Sequence, residues 1–284
     1  MTQMMKLAKQ WIQQLPLPDV TECRPVSGGD INEAFQLTAA GQRYFMKVQP
    51  NHEAAYFNHE ASGLKAIGAV IDTPTPQYQG QIDGDAYLVL NWLDSGRGSQ
   101  YDLGRAVAVM HSQHQERFGF VDNHETGTIK KDNSWNDSWV DFYLHQRLQP
   151  EVAAASEAGR WNRWRQEHFN AMCDRFSQYY SAHQVVPSLL HGDLWAGNYM
   201  FLTDGTPALI DPDAVYGDPE FDLAMTTVFG GFEPAFYQGY ASVLPLADGL
   251  DDRLYWYRFY YLCMHLILFG EMYGGAVDNI LAGF

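Results

Sequence analysis

The chain has 284 residues, 46% of them hydrophobic and 18% charged, which supports a packed core and excludes a disordered chain. Acidic residues outnumber Lys plus Arg by 34 to 18, and the net charge of −16 argues against nucleic acid or an anionic membrane as the main partner; a cationic substrate and simple solubility both fit it. Cys23, Cys173 and Cys263 form no CxxC pair, and no signal-like apolar run or membrane-length stretch stands out, so a reduced, cytoplasmic protein is expected, with no signal for its oligomeric state.

At roughly 100 to 200 residues per domain, the length allows one large domain or two lobes sharing a cleft. The texture changes at LVLNWLDSGRGSQ, residues 88–100. Before it the pattern predicts strands at 28–38 and 42–49, a helix over 53–67 and a buried strand at 86–90. After it come helices near 101–114, 138–148 and 157–183, a loop, a hairpin, and further helix from about 219 onward. The expectation is an α+β chain of two lobes: a small β-sheet lobe with one main helix over 1–93, and a larger, mostly helical lobe over 94–284.

The hairpin follows HGDLWAGN, residues 191–198. Asp204-Gly205 between YMFLT and TPALI is a strong turn signal, and a loop centred there sets Asn198 directly opposite Asp211. A carboxylate and an amide carbonyl so placed are hard oxygen ligands suited to Mg²⁺, with Asp193 left free as a base. A surface turn whose Asn and Asp bond locally is the competing reading of these residues alone.

The small lobe supplies context. Gly28-Gly29 sits in a strand-turn-strand pattern whose backbone N–H groups could close over phosphates, although a plain hairpin would look the same. Lys47 interrupts an apolar strand and needs a partner. Glu60 lies on the helical stripe of Phe57, Leu64 and Ile67, which makes it the natural counter-ion, with Glu53 or water as the alternative. A glycine turn, strand Lys, helix Glu, apolar connecting strand, His-Gly-Asp with Asn five residues on, and a final Asp together follow the order of a kinase's working parts.

Over nearly its whole length the sequence resembles the fructosamine kinase family, a branch of the aminoglycoside-phosphotransferase and protein-kinase-like fold. The resemblance is carried by SGGDINEAF (27–35), MKV (46–48), FNHEASGLKAI (57–67), FGF (118–120), Trp139 with Phe142-Tyr143 and Arg147-Leu148, HGDLWAGN (191–198) and IDPDAVYGDPEFDLAMTTVFGGF (210–232). It implies that Ser27, Gly28, Gly29 and Asn32 cover the phosphates of ATP, that Lys47 held by Glu60 contacts them, and that Asn91 to Leu93 offer backbone bonds to adenine. Asp193 would take the proton from a sugar hydroxyl, Asn198 and Asp211 would bind Mg²⁺, and Asp222 would brace the catalytic loop.

Trp195 would wall the sugar or amine, or else serve as a core tryptophan. The chain departs from the family at Asp213, which would support the metal or meet a cationic amine, and at Lys131, Asn133 and Trp135, where substrate contacts fall. His191 reads as a loop brace, and residues 255–273 as a core helix. His52, His59, His111 and His114 lack the HExxH spacing of a metal site. The implied reaction is ATP-dependent phosphorylation of the sugar O3 of a free or protein-bound ketosamine, with a role in deglycation. A kinase of another hydroxylated amine (aminoglycoside, choline or sugar) and a nucleotide-binding regulator without turnover are the alternatives.

Overall fold

The structure is a computed structural model, and it describes residues 7–26, 32–127 and 129–284. A short helix α1 (Lys9–Ile12) precedes a five-stranded antiparallel sheet of order β1-β2-β3-β5-β4, built from β1 (Val20–Pro25), β2 (Glu33–Ala39), β3 (Gln42–Gln49), β4 (Pro76–Ile82) and β5 (Asp85–Asn91). Helix α2 (Asn58–Ile67) follows β3 through one 3₁₀ turn. Alternation along β3 sends Met46 and Val48 to one face, where they pack with Leu7, Trp11, Leu15 and Leu17. Phe45 and Lys47 therefore point to the other face, which the 3₁₀ turn and α2 cover with Phe57 and Leu64.

The expected strand over 28–38 begins only at Glu33, and residues 27–31 lie outside the described residues. Strands β1 and β4 were not anticipated. Both are outer strands in which only Ile82 is buried, so they lack the apolar alternation that betrays a half-buried strand.

The rest of the chain is mainly helical: α3 (Gln100–His111), a small hairpin of β6 (His124–Thr126) and β7 (Ile129–Lys131), α4 (Trp139–Tyr143) running through a π turn into α5 (Gln149–Glu157), and α6 (Arg163–Tyr180). The helix expected over 157–183 starts only at Arg163: residue 157 ends α5, which was not anticipated, the chain turns at Gly159 (φ +69°), and α6 begins where Asn162 Oδ1 accepts the Arg165 N–H at 2.9 Å. Strand β8 (Ser188–Leu190) leads into the loop at 191, and β9 (Tyr199–Phe201) with β10 (Pro207–Leu209) forms the expected hairpin.

Strand β11 (Val215–Gly217) returns to pair with β8, followed by α7 (Pro219–Met225), α8 (Pro234–Ala241), α9 (Leu250–Phe269) and α10 (Gly274–Leu281). Helix α9 is apolar and aromatic on nearly every side because it runs through the core, with Tyr257, Phe259, Tyr260 and Tyr261 all fully buried. Among the described residues no helix is long and apolar enough to cross a membrane. The architecture is the α+β, two-lobed arrangement expected, and the division placed at 93/94 falls in the connection from β5 to α3.

Candidate active site

The loop that follows β8 is fixed by a carboxylate beneath it. Asp222 on α7 is fully buried, and its two oxygens accept the backbone N–H groups of His191 at 2.7 Å and Gly192 at 2.8 Å. Buried backbone donors need partners, and here one side chain satisfies two of them. His111 Nε2 contacts the same carboxylate at 3.1 Å, and Tyr261 donates its hydroxyl to Gly192 O at 3.0 Å. Gly192 has φ +81°, and a Cβ there would stand 1.8 Å from Asp213 O, so only glycine lets the two segments lie together. His191, fully buried, contacts Ile210 O at 2.9 Å through Nε2 and accepts the Asp193 N–H at 3.3 Å through Nδ1, the bracing role read for it.

The hairpin register differs from expectation. The loop holds three residues, 203–205, with Leu202 N–H donating to Thr206 O at 2.8 Å, Gly205 N–H donating to Leu202 O at 2.9 Å, and Gly205 at φ +90°. Asn198 is therefore paired with Ile210, whose N–H reaches Asn198 O at 3.0 Å, and not with Asp211. A one-residue offset in a regular strand would send Asp211 to the opposite face. Asp211 instead takes a left-handed backbone, φ +54°, which breaks the alternation and brings its carbonyl to 3.4 Å from Asn198 Nδ2.

Asn198 is buried, and its Nδ2 also donates to Asp193 O at 2.9 Å and Asp193 Oδ2 at 3.0 Å. Spending the nitrogen in this way fixes the amide and leaves Oδ1 as the atom a cation would meet. The Asp211 carboxylate, 46% exposed, supplies the second hard oxygen donor. The donor set fits Mg²⁺, which keeps waters and completes its shell from phosphates.

Lys47 joins the two lobes. Its Nζ lies 2.8 Å from Glu60 Oε1, the expected pair, with Glu53 not taking the partner's place, and 2.5 Å from Asp211 Oδ1, a contact the sequence did not suggest. Burial works against the Lys47 charge, but Asp211 and Glu60 outweigh it and hold the ammonium protonated. Burial raises Glu60 well above the usual carboxylate range, against the pull of Lys47.

Asp193 is pushed up to about 7, first by burial and then by the charge of Asp213, while Lys131 pulls the other way. Trp195 is 40% exposed and lies over Gly197, which removes the core-tryptophan alternative. Asn91 N–H donates to Thr75 O at 3.2 Å and Trp92 N–H to Arg43 O at 3.4 Å, so those two amides are already engaged. Asn32 Oδ1 is buried without a hydrogen-bond partner. Ser27, Gly28 and Gly29 lie outside the described residues.

Two expectations for the substrate side are corrected. Asn133 is fully buried, with Nδ2 donating to Asp122 O at 2.8 Å and Oδ1 accepting from Arg147, so it braces the loop and does not face open space. Asp213 is not free to meet a cationic amine: its carboxylate is bonded by Lys131 and approached by His124 Nε2 at 2.7 Å and His59 Nε2 at 3.4 Å. Burial alone would raise this carboxyl, but Lys131 and His124 hold it well below the usual range.

His59, His124 and Asp213 have the composition of a metal site. The two imidazoles, however, are stacked with centroids 3.7 Å apart and planes 1° from parallel. An imidazole lone pair lies in its ring plane, and no point lies in both planes, so a single ion could not take both in this arrangement. Sequence spacing gave no sign of this cluster, which is assembled from α2, β6 and the segment after Asp211.

A buried Lys–Glu pair on a small sheet lobe, set against an Asp–Asn–Asp cluster on a helical lobe, defines a phosphotransferase of the protein-kinase-like type. The fructosamine kinase family's sequence profile matches residues 3–284, and the chain belongs to that family. A probable ketoamine kinase from Lactiplantibacillus plantarum is 50% identical over 98% of this chain and 99% of its own length. The crystal structure of a putative fructosamine-3-kinase from Haemophilus somnus superposes with a TM-score of 0.83 at 23% identity, covering 93% of this chain and 91% of that one. A thermostable mutant of the aminoglycoside phosphotransferase APH(4)-Ia shares the fold more distantly, with a TM-score of 0.62 at 16% identity over 93% of this chain and 95% of its own.

Proposed function

We propose that this protein is an ATP-dependent ketosamine kinase that phosphorylates the sugar O3 of a fructosamine or ribulosamine. The observation that carries the reading is the placement of Asp193 beside Asn198 while Lys47 bridges Glu60 and Asp211. The Asp193 carboxyl, raised to about 7, is matched to accepting a hydroxyl proton near neutral pH. Lys47 would bind phosphate oxygens of ATP, with the turn from Ser27 to Gly29 and Asn32 closing over them and the stretch from Asn91 to Leu93 bordering the adenine. Asn198 Oδ1 and the Asp211 carboxylate would hold Mg²⁺, which when bound neutralises phosphate charge.

In the reaction the sugar hydroxyl oxygen forms the new bond to the γ-phosphorus, the bond from that phosphorus to the bridging oxygen of ADP breaks, and the hydroxyl proton passes to Asp193. The chain contributes alignment and charge, the two terms on which phosphoryl transfer chiefly depends. Trp195, exposed beside the base, would offer a flat wall to the sugar or its amine. The names of the relatives support the substrate class, and phosphorylation at O3 implies a role in removing sugar adducts from amines.

The test is ³¹P NMR of products from MgATP and a panel of glycated amines. Turnover of a ribulosamine or fructosamine by wild type and its loss in Asp193→Ala are expected. Equal rates for the two proteins, or turnover only of non-ketosamine amines, would overturn the reading.

A further inference from the structure

Helix α2 turns Glu60 toward Lys47 and uses its neighbours for a different purpose. Ser62 Oγ donates to Asp122 Oδ2 at 2.6 Å, and His59 Nδ1 lies 3.2 Å from Asp122 O. His59 Nε2 faces Asp213 Oδ1 at 3.4 Å. Gly63 faces the same segment, and a Cβ there would stand 2.9 Å from Ala214 Cβ and 3.2 Å from Pro212 Cγ. Ile67, one turn further on, is buried in the core of the large lobe and not in that of the small one.

Pro212, Asp213 and Ala214 directly follow Asp211. The stretch of backbone that presents Asp211 is therefore also the bed on which α2 lies. Its own position is fixed in turn, since Asp213 N–H donates to His191 O at 2.9 Å. Glu60 sits between His59 and Ser62, so any movement of α2 away from Asp122 and Pro212 would carry Glu60 off Lys47.

We propose that His59, Ser62 and Gly63 are positioning residues that lock α2 onto the 211–214 segment and the adjoining loop at Asp122, so that Glu60 and Asp211 meet on one ammonium before nucleotide arrives. Close packing at Gly63 leaves no room for the helix to settle in a second position. The lock acts through Lys47 on nucleotide affinity and phosphoryl transfer, and not on the ketosamine. It rests on the reading of Lys47 as a phosphate anchor.

Gly63→Ala drives a wedge into the contact, and Ala214→Gly removes the carbon that the wedge meets. In Gly63→Ala, amide hydrogen exchange over 58–67 is expected to quicken tenfold or more, MgADP affinity by calorimetry to fall about tenfold, and the KM for ATP to rise by a similar factor, with the KM for ketosamine within twofold of wild type. The double variant Gly63→Ala/Ala214→Gly is expected to recover most of each loss, which general destabilisation would not allow. Should Gly63→Ala fail to fold, Ser62→Ala takes its place, with Ser62→Thr as the conservative variant that restores the hydroxyl.

Unchanged exchange over 58–67 in these variants would overturn the lock, as would a lowered melting temperature with MgADP affinity intact. The two readings fail separately. A wild type that binds MgADP but turns over no ketosamine overturns the substrate assignment, and a wild type that ignores MgADP overturns the nucleotide reading, while the exchange measurement judges the lock in either case.

Discussion

Asn198 donates its side-chain amide to both the carbonyl and the carboxylate of Asp193, at 2.9 and 3.0 Å, so the residue proposed to face the metal also holds the proposed base. Two roles are thereby coupled through one side chain. Asp193→Asn is expected to lower kcat by about 10² to 10⁴, the usual worth of a positioned proton acceptor. Asn198→Ala should lower kcat and also raise the Mg²⁺ requirement, which a metal titration of the rate would separate from loss of the base alone.

The raised Asp193 carboxyl predicts an acid limb in kcat/KM. With its midpoint near 7, the rate should fall about tenfold per unit below pH 6, as the protonated carboxyl cannot accept the hydroxyl proton. A pH profile flat from 5 to 8 would contradict the assignment.

Lys47 and Glu60 are both largely buried, with side chains 8% and 11% exposed. Lys47→Met leaves Glu60 buried without its counter-ion, and the expected cost is about 3 to 5 kcal/mol of stability together with loss of MgATP binding. Glu60→Gln keeps the shape, and Lys47 retains Asp211, so a milder rise in the KM for ATP is expected. Urea unfolding and steady-state kinetics measure the two effects.

Asp222→Ala removes the acceptor for two buried N–H groups. At about 1 to 3 kcal/mol for each orphaned donor, a loss of roughly 2 to 6 kcal/mol is expected, readable as a lower urea midpoint with unchanged slope. Activity should fall as well, since the same bonds hold the backbone next to Asp193.

His124 carries a pH-dependent term in stability. Burial lowers its imidazole to about 4, so from pH 6.5 down to 4 the unfolded chain binds the proton and the native state does not. The stabilisation is complete above pH 6.5 and is lost progressively as the pH falls through that window, by about 2 kcal/mol between pH 7 and pH 5. Comparing the urea stability of wild type and His124→Gln at those two values should show a shallower pH dependence in the variant.

Much of the site was legible because its residues violate local rules. Lys47 in an apolar strand and Glu60 on an apolar helix stripe each require a partner, and the need is visible without coordinates. The hairpin was legible from Asp204-Gly205, but its register was not: a three-residue loop and a two-residue loop share that turn signal, and only the left-handed backbone of Asp211 restored the neighbour relation with Asn198. Lys131 and Asp213 were each marked as unusual, yet nothing in their spacing showed that they would neutralise one another.

What the sequence determined by itself was the order of chemical parts and the class of fold, because periodicity, turn residues and misplaced charges act over a few neighbours. Tertiary structure decided which side chains were left facing the cleft. Asn133 and Asp213 turned inward to satisfy Arg147, Lys131 and the histidines, while Trp195 stayed out. Burial makes an unpaired charge or amide costly, so each polar group goes to whichever partner the packed lobes bring nearest, and for Lys131 that partner, Asp213, lies 82 residues away along the chain.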